Sequence, residues 1–318
     1  MLVTNEIRRL ISELGLESST RYDEPMACHT TFRVGGPADA FFRPAGTGAE
    51  ADIIAVLKAV RSRGISVFII GGGANIVVSD AGIRGLVLDM GGWSGCEFDQ
   101  GNLEMPDFPP SVYAKAGTNV DDWVDACAER KCSGPEFLAG MPGTVGGALW
   151  MNARCYGYSI SDILLETDIL NENADPMKIP FDPADFGYKT SPFQKDGILI
   201  LGARFRLKDA SEAEIRSEGR RLRADREAKG HYRYPSAGSV FKNDHAFGKP
   251  SGQIIDELGL RGTTIGGASI AAWHGNIIIN SGGALASDIR ALVEFVADRV
   301  RKDLGLVLEP EILFVGDW

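Results

Sequence analysis

A run of three glycines at residues 71–73, set between two short apolar segments, constrains the fold of this chain more than any other feature. The apolar segments, residues 67–70 and 76–78, are typical of strands. Glycine has no Cβ, so a glycine loop lets backbone N–H groups approach a phosphate closely. No helix follows, so the loop lacks the context of a Rossmann fingerprint. Two interpretations stay open, a tight hairpin turn or a phosphate site of another nucleotide-binding fold. The loop consists of Gly71, Gly72, Gly73, Ala74 and Asn75.

A second glycine-rich stretch, at residues 134–157, favours the phosphate interpretation. Two glycine loops in one region can enclose a pyrophosphate from both sides, and the hydroxyl of Thr144 adds a hydrogen-bond donor. An extended dinucleotide such as FAD fits this arrangement, although a close crossing of strands at glycines would show the same composition. The residues of this stretch that we expect at the cofactor are Pro142, Gly143, Thr144, Gly146, Gly147 and Ala148.

Helix-like and strand-like segments alternate around both stretches. Residues 48–63 and 120–131 carry apolar side chains at helical spacing, and Asn119 is the expected N-cap of the second helix. A charged helix at residues 211–230 begins with a capping box formed by Ser211 and Glu214. This shift in composition predicts a domain boundary at about residue 208.

The region beyond the boundary mixes helices with short strands. Its patterns predict a helix around residues 254–258, a strand at 276–280 and a long amphipathic helix over about 289–304. With the strand expected at residues 197–207, the whole chain is predicted to be α+β and to consist of two regions.

Charge and composition exclude several classes of function. The net charge of −10 argues against a nucleic-acid partner, which would require a basic surface. The charged, helix-patterned start is unlike a signal peptide, and no apolar run approaches a membrane span, so a cytoplasmic protein is expected. Five scattered cysteines and four unpaired histidines give no pattern for a disulfide framework or a metal site.

Two polar residues of the C-terminal region are candidates for chemistry. Ser239 lies in the segment at residues 234–243 without a histidine base or a G-x-S-x-G elbow, so it is more plausible as a proton donor than as a nucleophile. A turn in a strand pair is the alternative. Glu311 precedes an apolar strand-like run at residues 312–315, where an edge charge in water is the alternative.

Six segments taken together resemble the UDP-N-acetylenolpyruvoylglucosamine reductase (MurB) family, in family order from about residue 28 to the end. The chain length resembles the shorter branch, which lacks an inserted tyrosine-bearing loop. The segments are residues 29–38, 71–75, 142–156, 187–193, 234–243 and 308–316.

The resemblance implies an FAD-binding region of the vanillyl-alcohol oxidase and p-cresol methylhydroxylase type at residues 28–207, with two α+β subdomains at about 28–90 and 91–207. Residues 1–27 would form an N-terminal helix and lead-in, and residues 208–318 an α+β substrate-binding domain. The implied activity belongs to peptidoglycan synthesis. By this resemblance, non-covalent FAD, reduced by NADPH, would pass hydride to UDP-N-acetylglucosamine enolpyruvate and give UDP-N-acetylmuramate. A monomer without metal, membrane or nucleic acid is expected.

The resemblance also assigns roles to individual residues. Ser239 matches the family's proton donor and Glu311 its catalytic glutamate, while Lys242 and Asn243 match positions near substrate. Lys189 stands after Tyr188 where the family usually has an arginine that contacts the substrate carboxylate; lysine keeps the charge but loses the planar fork. Arg154 is an additional cation in the segment at residues 152–156. We expect Lys189 to bind the carboxylate, and Arg154 to contribute a second cation toward flavin or substrate phosphates.

Two rival interpretations use the same scaffold. One is an FAD-dependent oxidase or dehydrogenase of a sugar or alcohol, which would be marked by a covalent flavin link; His29 is the histidine of the first region. The other is a non-catalytic flavin-binding relative, which the lysine at position 189 would allow. Retention of both Ser239 and Glu311 argues against it.

Overall fold

The computed structural model describes residues 2–101 and 109–318. Helices and strands are mixed in both halves of the chain, which confirms the predicted α+β class. The α-helices are α1 (Leu2–Glu13), α2 (Ala49–Ser62), α3 (Val120–Glu129), α4 (Val145–Trp150), α5 (Glu212–Ala228), α6 (Ser251–Glu257) and α7 (Ala286–Leu304). The strands are β1 (Thr20–Pro25), β2 (Pro37–Phe42), β3 (Val67–Ile70), β4 (Ile76–Val78), β5 (Ile83–Asp89), β6 (Cys96–Asp99), β7 (Ser111–Lys115), β8 (Cys132–Ser133), β9 (Arg154–Cys155), β10 (Tyr158–Ser159), β11 (Leu164–Leu170), β12 (Pro176–Pro180), β13 (Leu199–Arg206), β14 (Lys208–Asp209), β15 (Thr264–Ile265), β16 (Ala268–Ile270), β17 (Ile278–Asn280) and β18 (Leu313–Val315).

Local signals in the sequence located the helix starts well. Asn119 Oδ1 accepts from the N–H groups of Asp121 and Asp122 at 2.8 and 3.4 Å, which confirms it as the N-cap of α3. The capping box at α5 is also confirmed. Ser211 Oγ accepts from the Glu214 N–H, and the Glu214 carboxylate accepts from the Ser211 N–H, both at 3.2 Å.

The triple-glycine loop joins two strands that do not pair with each other. β3 pairs in parallel with β5, placing Val67 opposite Leu86, while β4 pairs in parallel with β18, placing Val77 opposite Phe314. The interpretation of this loop as a tight hairpin turn is therefore wrong. Because the two strands pair with different partners, the backbone of the loop between them is not part of a β-ladder.

One compact unit comprises residues 1–21, 40–72 and 85–225. Its main sheet is antiparallel, with the strand order β12-β11-β13-β7-β6. The α3 side chain of Trp123 packs on Phe205 of β13 with ring centroids 4.4 Å apart, and both side chains are fully buried. Aromatic side chains of this size bury the largest apolar areas, so this contact fastens α3 to the sheet.

The other compact unit comprises residues 22–39, 73–84 and 226–318. The antiparallel sheet β15-β16-β17 and the parallel pair β4-β18 lie in it, and α7 turns an apolar face to its core. Asp80 accepts from the N–H groups of Ala286 and Ser287 at the start of α7, at 2.8 and 2.9 Å. The core consists of Phe32, Val34, Val77, Ala237, Val240, Phe241, Ile254, Ile255, Leu260, Ala268, Ile270, Ile278, Ala286, Ile289, Leu292, Val293, Val296, Val300, Leu308 and Ile312.

Each unit combines segments that are distant in sequence. α5 belongs to the first unit as far as residue 225, and residues 22–39 and 73–84 belong to the unit of the C-terminal segment. The predicted domain limits at residues 28 and 208 divide the linear sequence and stay predictions. A further sheet has the strand order β1-β2-β5-β3. None of the described helices has the length and apolar character needed to cross a membrane.

Candidate functional site

The two glycine stretches of the sequence meet backbone to backbone in the first unit. A Cβ on Gly72 would lie 2.6 Å from Gly143 Cα, and one on Gly71 would overlap the hydroxyl of Thr144. Side-chain carbons do not approach backbone atoms this closely, so only glycine allows the contact. Gly143 itself has a φ of +119°, a conformation that other residues rarely adopt. The two glycine stretches are thus in direct contact in the structure.

The second stretch opens a short helix, α4, which the sequence analysis did not predict. Thr144 is its N-cap, and its hydroxyl accepts from the Gly147 N–H at 3.5 Å. The N–H groups of Val145 and Gly146 donate at 2.9 and 2.8 Å to carbonyls of the segment after β7. Three N–H groups at this helix start therefore already have protein acceptors.

Other backbone donors of the two loops remain available. Within residues 2–101 and 109–318, no protein acceptor is hydrogen-bonded to the N–H groups of Gly71, Gly72 or Gly143. A loop contact that excludes every Cβ and offers free N–H groups fits a pyrophosphate, which needs close backbone approach and several donors. The residues of the first unit thus fit the diphosphate of FAD.

Lys189 lies in a tight turn that side chains hold from two sides. Gly187 and Thr190 exchange backbone hydrogen bonds of 3.2 and 3.3 Å, which places Tyr188 and Lys189 at the two central positions. Lys189 has a left-handed φ of 59°, and its ammonium lies 5.9 Å from the centre of the Tyr188 ring. The turn is anchored by Asn152, whose Nδ2 donates to the Gly187 carbonyl at 2.8 Å. The predicted carboxylate-binding lysine is thus tied to the second glycine stretch.

Arg154 belongs to a small exposed hairpin in the same unit. β9 and β10 pair so that Arg154 lies opposite Ser159. The guanidinium is exposed and donates to the Gly157 carbonyl at 3.5 Å, which is a weak contact. The neighbouring Tyr156 hydroxyl, by contrast, donates to Asp225 at 2.8 Å. The position of Arg154 leaves its charge accessible to an anion.

In the second unit the first glycine loop continues toward Glu311. Gly73 has a φ of 60° and packs so tightly on the His29 carbonyl that a Cβ would overlap it. Asn75 Nδ2 donates to the Glu311 carbonyl at 3.0 Å. The imidazole of His29, where the oxidase interpretation would place a flavin link, has its Nε2 2.8 Å from Glu24 Oε1.

Ser239 sits on a segment that a buried asparagine clamps. Ser239 pairs with Ile277 in an isolated antiparallel bridge. The Asn276 amide bonds both backbone groups of Phe241, accepting from its N–H and donating to its carbonyl, each at 2.8 Å. Asn276 is 2% exposed. The Asn276 amide satisfies the two Phe241 backbone groups as a neighbouring strand would. It thereby fixes the backbone at Phe241, two residues beyond Ser239.

Glu311 lies on the other side of the same segment. Its N–H donates to the Val240 carbonyl at 2.7 Å, and Pro310 pairs with Phe241. Two residues from distant parts of the sequence, Ser239 and Glu311, are therefore held on adjoining backbone segments. Both side chains are half-buried. The backbones that carry the two candidate residues are thus paired within this unit.

Lys242 and Asn243 extend this group but already have protein partners. Lys242 Nζ pairs with Glu309 Oε1 at 2.5 Å, and Asn243 Oδ1 accepts from the N–H of Ser251, at the start of α6, at 2.9 Å. An anionic ligand would have to compete with Glu309 for the lysine.

A cavity of about 270 Å³ adjoins this group and brings in residues that sequence reasoning missed. His274 Nδ1 accepts from the Asn276 N–H at 3.1 Å, and burial lowers the pKa of His274. The ring is therefore neutral near pH 7 and carries its proton on Nε2. A lone histidine that lies next to a buried asparagine gives no local signal in the sequence. The lining residues are Ser239, Asn243, Pro250, Gly252, Gln253, Asp256, His274 and Asn276.

Two family models match the chain. The model described as FAD binding domain matches residues 39–178. The model described as UDP-N-acetylenolpyruvoylglucosamine reductase, C-terminal domain, matches residues 230–315. The first match contains the meeting of the two glycine stretches, and the second contains Ser239 and Glu311. The predicted FAD-binding region and the C-terminal domain are both confirmed.

Similar proteins cover nearly the whole chain. The UDP-N-acetylenolpyruvoylglucosamine reductase of Treponema denticola is 40% identical over 95% of this chain and 95% of its own length. The protein of that name from Borreliella burgdorferi is 36% identical over 92% of this chain and 93% of its own. Among solved structures, UDP-N-acetylenolpyruvylglucosamine reductase from Thermus caldophilus superposes with a TM-score of 0.73 at 30% identity, covering 92% and 97% of the two chains.

Proposed function

Because the chain belongs to the UDP-N-acetylenolpyruvoylglucosamine reductase family of FAD-dependent oxidoreductases, we propose that it reduces UDP-N-acetylglucosamine enolpyruvate to UDP-N-acetylmuramate with NADPH, in the cytoplasm. The observation that carries the proposal is the pairing of the Ser239 and Glu311 segments within the matched C-terminal domain. The reaction belongs to peptidoglycan synthesis.

FAD, when bound, supplies hydride transfer between NADPH and the enolpyruvyl double bond. The N–H groups of Gly71, Gly72 and Gly143 are the donors that would hold its diphosphate. Because only glycine allows the two loops to meet, this part of the binding site depends on backbone geometry more than on side-chain charge. Pro142 and Ala148 flank the same loop and are proposed cofactor contacts as well.

The protein's own groups would handle charge and protons. Addition of hydride to the terminal methylene carbon places negative charge on the adjacent carbon and its carboxylate, so a cation is needed nearby. Lys189 is proposed for this role. Ser239 would donate a proton to the carbon that bears the ether oxygen, and Glu311 would polarise the carboxylate region. Consumption of one NADPH and one proton balances the reduction of one double bond.

The substrate's diphosphate calls for donors apart from those of the cofactor. We propose Asn243 and the Nε2–H of His274, which line the cavity beside Ser239, together with the neighbouring Lys242. A neutral imidazole keeps one ring N–H near pH 7, and this N–H can donate a hydrogen bond to a phosphate oxygen. Tyr188 and Arg154 are also proposed substrate contacts.

One experiment tests the proposal as a whole. The purified protein should carry a yellow, non-covalently bound flavin, and it should oxidise NADPH over many turnovers only when the enolpyruvyl nucleotide is added. Product formation is checked by mass spectrometry, which should show the addition of two hydrogens. A colourless protein without NADPH oxidation would refute the proposal, and oxygen consumption with sugars instead would favour an oxidase.

A further inference from the structure

Asn152, which the sequence analysis left without a role, controls the turn that carries Lys189. Its Nδ2 donates to the Gly187 carbonyl at 2.8 Å, and Gly187 closes the turn with Thr190. A carbonyl can only accept, so the amide must present its NH2 group to Gly187. Asn152 is 5% exposed and has a left-handed φ of 41°. The bond is thus buried and its orientation is fixed.

The other half of the Asn152 amide has no protein partner. In the described ranges, 2–101 and 109–318, no donor is hydrogen-bonded to Asn152 Oδ1. Buried polar atoms without a partner are uncommon in folded proteins. The Asn152 side chain therefore contacts the surrounding protein through its NH2 donor and not through its Oδ1 acceptor.

The turn needs such external support because Lys189 is strained. Residues other than glycine, asparagine and aspartate rarely adopt the φ of 59° that Lys189 has. Gln194 supports the turn from the other side, since its Nε2 donates to the Lys189 carbonyl at 3.0 Å and to the Trp150 carbonyl at 2.8 Å. Trp150 ends α4. Two amide side chains thus fasten the Lys189 turn to the segment that begins with the second glycine stretch.

We propose that Asn152 is a positioning residue for Lys189. By holding the Gly187 carbonyl it fixes the turn, and it thereby sets where the Lys189 ammonium meets the carboxylate of the substrate. The inference rests on the proposed function, in which Lys189 stabilises the negative charge of that carboxylate. Asn152 itself need not touch the substrate.

The test uses Asn152→Asp in the flavin-loaded enzyme. Aspartate has the shape of asparagine but, when ionised, offers an oxygen in place of the NH2 group, so the turn loses its donor and faces repulsion. We expect kcat/KM for the enolpyruvyl nucleotide to fall about tenfold. Flavin content and the rate of flavin reduction by NADPH alone should stay within about twofold of the parent. Asn173→Asp, the same change at an exposed position of the same unit, is the matched control and should leave all three unchanged.

A double-mutant cycle with Lys189→Ala separates positioning from a general structural effect. If Asn152 acts through Lys189, adding Asn152→Asp to Lys189→Ala should lower kcat/KM by less than about twofold further. A persisting tenfold effect in the Lys189→Ala background, or parental activity of Asn152→Asp, would overturn the inference. Parental activity of Lys189→Ala would also overturn it, because nothing would remain to be positioned.

A second variant keeps the test decisive if Asn152→Asp does not fold or does not retain flavin. Gln194→Met removes the donor on the other side of the turn at similar volume. Its effect on kcat/KM should likewise not add to the effect of Lys189→Ala. Fully additive effects on kcat/KM would contradict positioning. Failure of the proposed function is recognised separately, because the parental enzyme would then not oxidise NADPH with the enolpyruvyl nucleotide.

Discussion

The backbone N–H of Glu311 donates a 2.7 Å hydrogen bond to the carbonyl of Val240, the residue that follows Ser239. The Lys242 N–H donates to the Glu309 carbonyl at 2.9 Å, so two backbone bonds between distant segments hold the backbones of the proposed hydroxyl and carboxylate groups. Neither bond involves a functional side chain. Substitutions of the two side chains should accordingly change the chemistry while the segment pairing is kept.

Ser239→Ala and Glu311→Gln should each slow the step that consumes the enolpyruvyl nucleotide, since loss of a general acid typically costs about 10²- to 10⁴-fold. Flavin reduction by NADPH should proceed at the parental rate. Stopped-flow absorbance of the flavin resolves the two half-reactions. Ser236→Ala, in the same segment, is the control for Ser239. Equal slowing of both half-reactions would show that these residues support the flavin and not the proton transfer.

The carboxylate-binding cation can be identified by single variants at two positions. Lys189→Ala should lower kcat/KM by about 10²-fold, because an uncompensated charge develops in the transition state. Lys189→Arg should retain activity, since it keeps the charge and adds a planar fork. Arg154→Ala is expected to have a smaller effect, because its guanidinium is exposed. Parental activity of both alanine variants would exclude Lys189 and Arg154 as the residues that bind the carboxylate.

Gly72→Ala should disrupt the contact between the two glycine loops. The added Cβ would lie 2.6 Å from Gly143 Cα, so the loops must separate, and overpacking of this kind costs about 1–3 kcal/mol. The flavin content of the purified protein should fall together with the melting temperature. Gly48→Ala, before α2 and outside both glycine loops, is the matched control, because its Cβ would lie 3.9 Å from the nearest atom. A Gly72→Ala protein with full flavin content would argue against the diphosphate site.

Glu309→Gln should release Lys242 for the substrate. The pair is partly exposed, and exposed ion pairs contribute about 0–1 kcal/mol, so the melting temperature should hardly change. Steady-state kinetics should show a lower KM for the enolpyruvyl nucleotide, with an effect that weakens as salt is added. An unchanged KM would place Lys242 away from the phosphates.

Asp80→Ala should destabilise the C-terminal unit by about 1 kcal/mol, because α7 loses both acceptors at its N-terminus. Burial acts to raise the pKa of Asp80, but hydrogen bonds from the Ser287 and Ala286 N–H groups outweigh it and hold the pKa below the ordinary value of 3.8. A depressed pKa in the folded state stabilises the fold above pH 3.8 and ceases to do so as the pH falls through the lowered value. Urea unfolding at pH 7 and in strong acid should show the difference between parent and variant shrinking in acid. A difference independent of pH would contradict this assignment.

The sequence predicted elements whose cause is local. Apolar spacing located α2 and α7, and caps located the starts of α3 and α5, since each signal lies within a few residues of its effect. α4 was missed because Gly146 and Gly147 disfavour helix, and the bonds that override this preference come from the distant segment after β7.

The arrangement of the site depends on contacts that no local pattern contains. The parallel pairing of β4 with β18 and the clamp of Asn276 on Phe241 each join residues far apart in sequence. Ser239 and Glu311 could be named from the resemblance, but their adjoining backbones could not. His274 escaped notice for the same reason, because its neighbours are set by tertiary packing.

The left-handed backbone of Lys189 has a consequence for evolution and engineering. Glycine at this position would relieve strain of about 1 kcal/mol, so a search for stabilising substitutions should select it. The same substitution would delete the ammonium that the proposed chemistry requires. Position 189 is thus a point where thermostability and turnover select opposite residues, and a library screened only for heat resistance should accumulate inactive enzymes there.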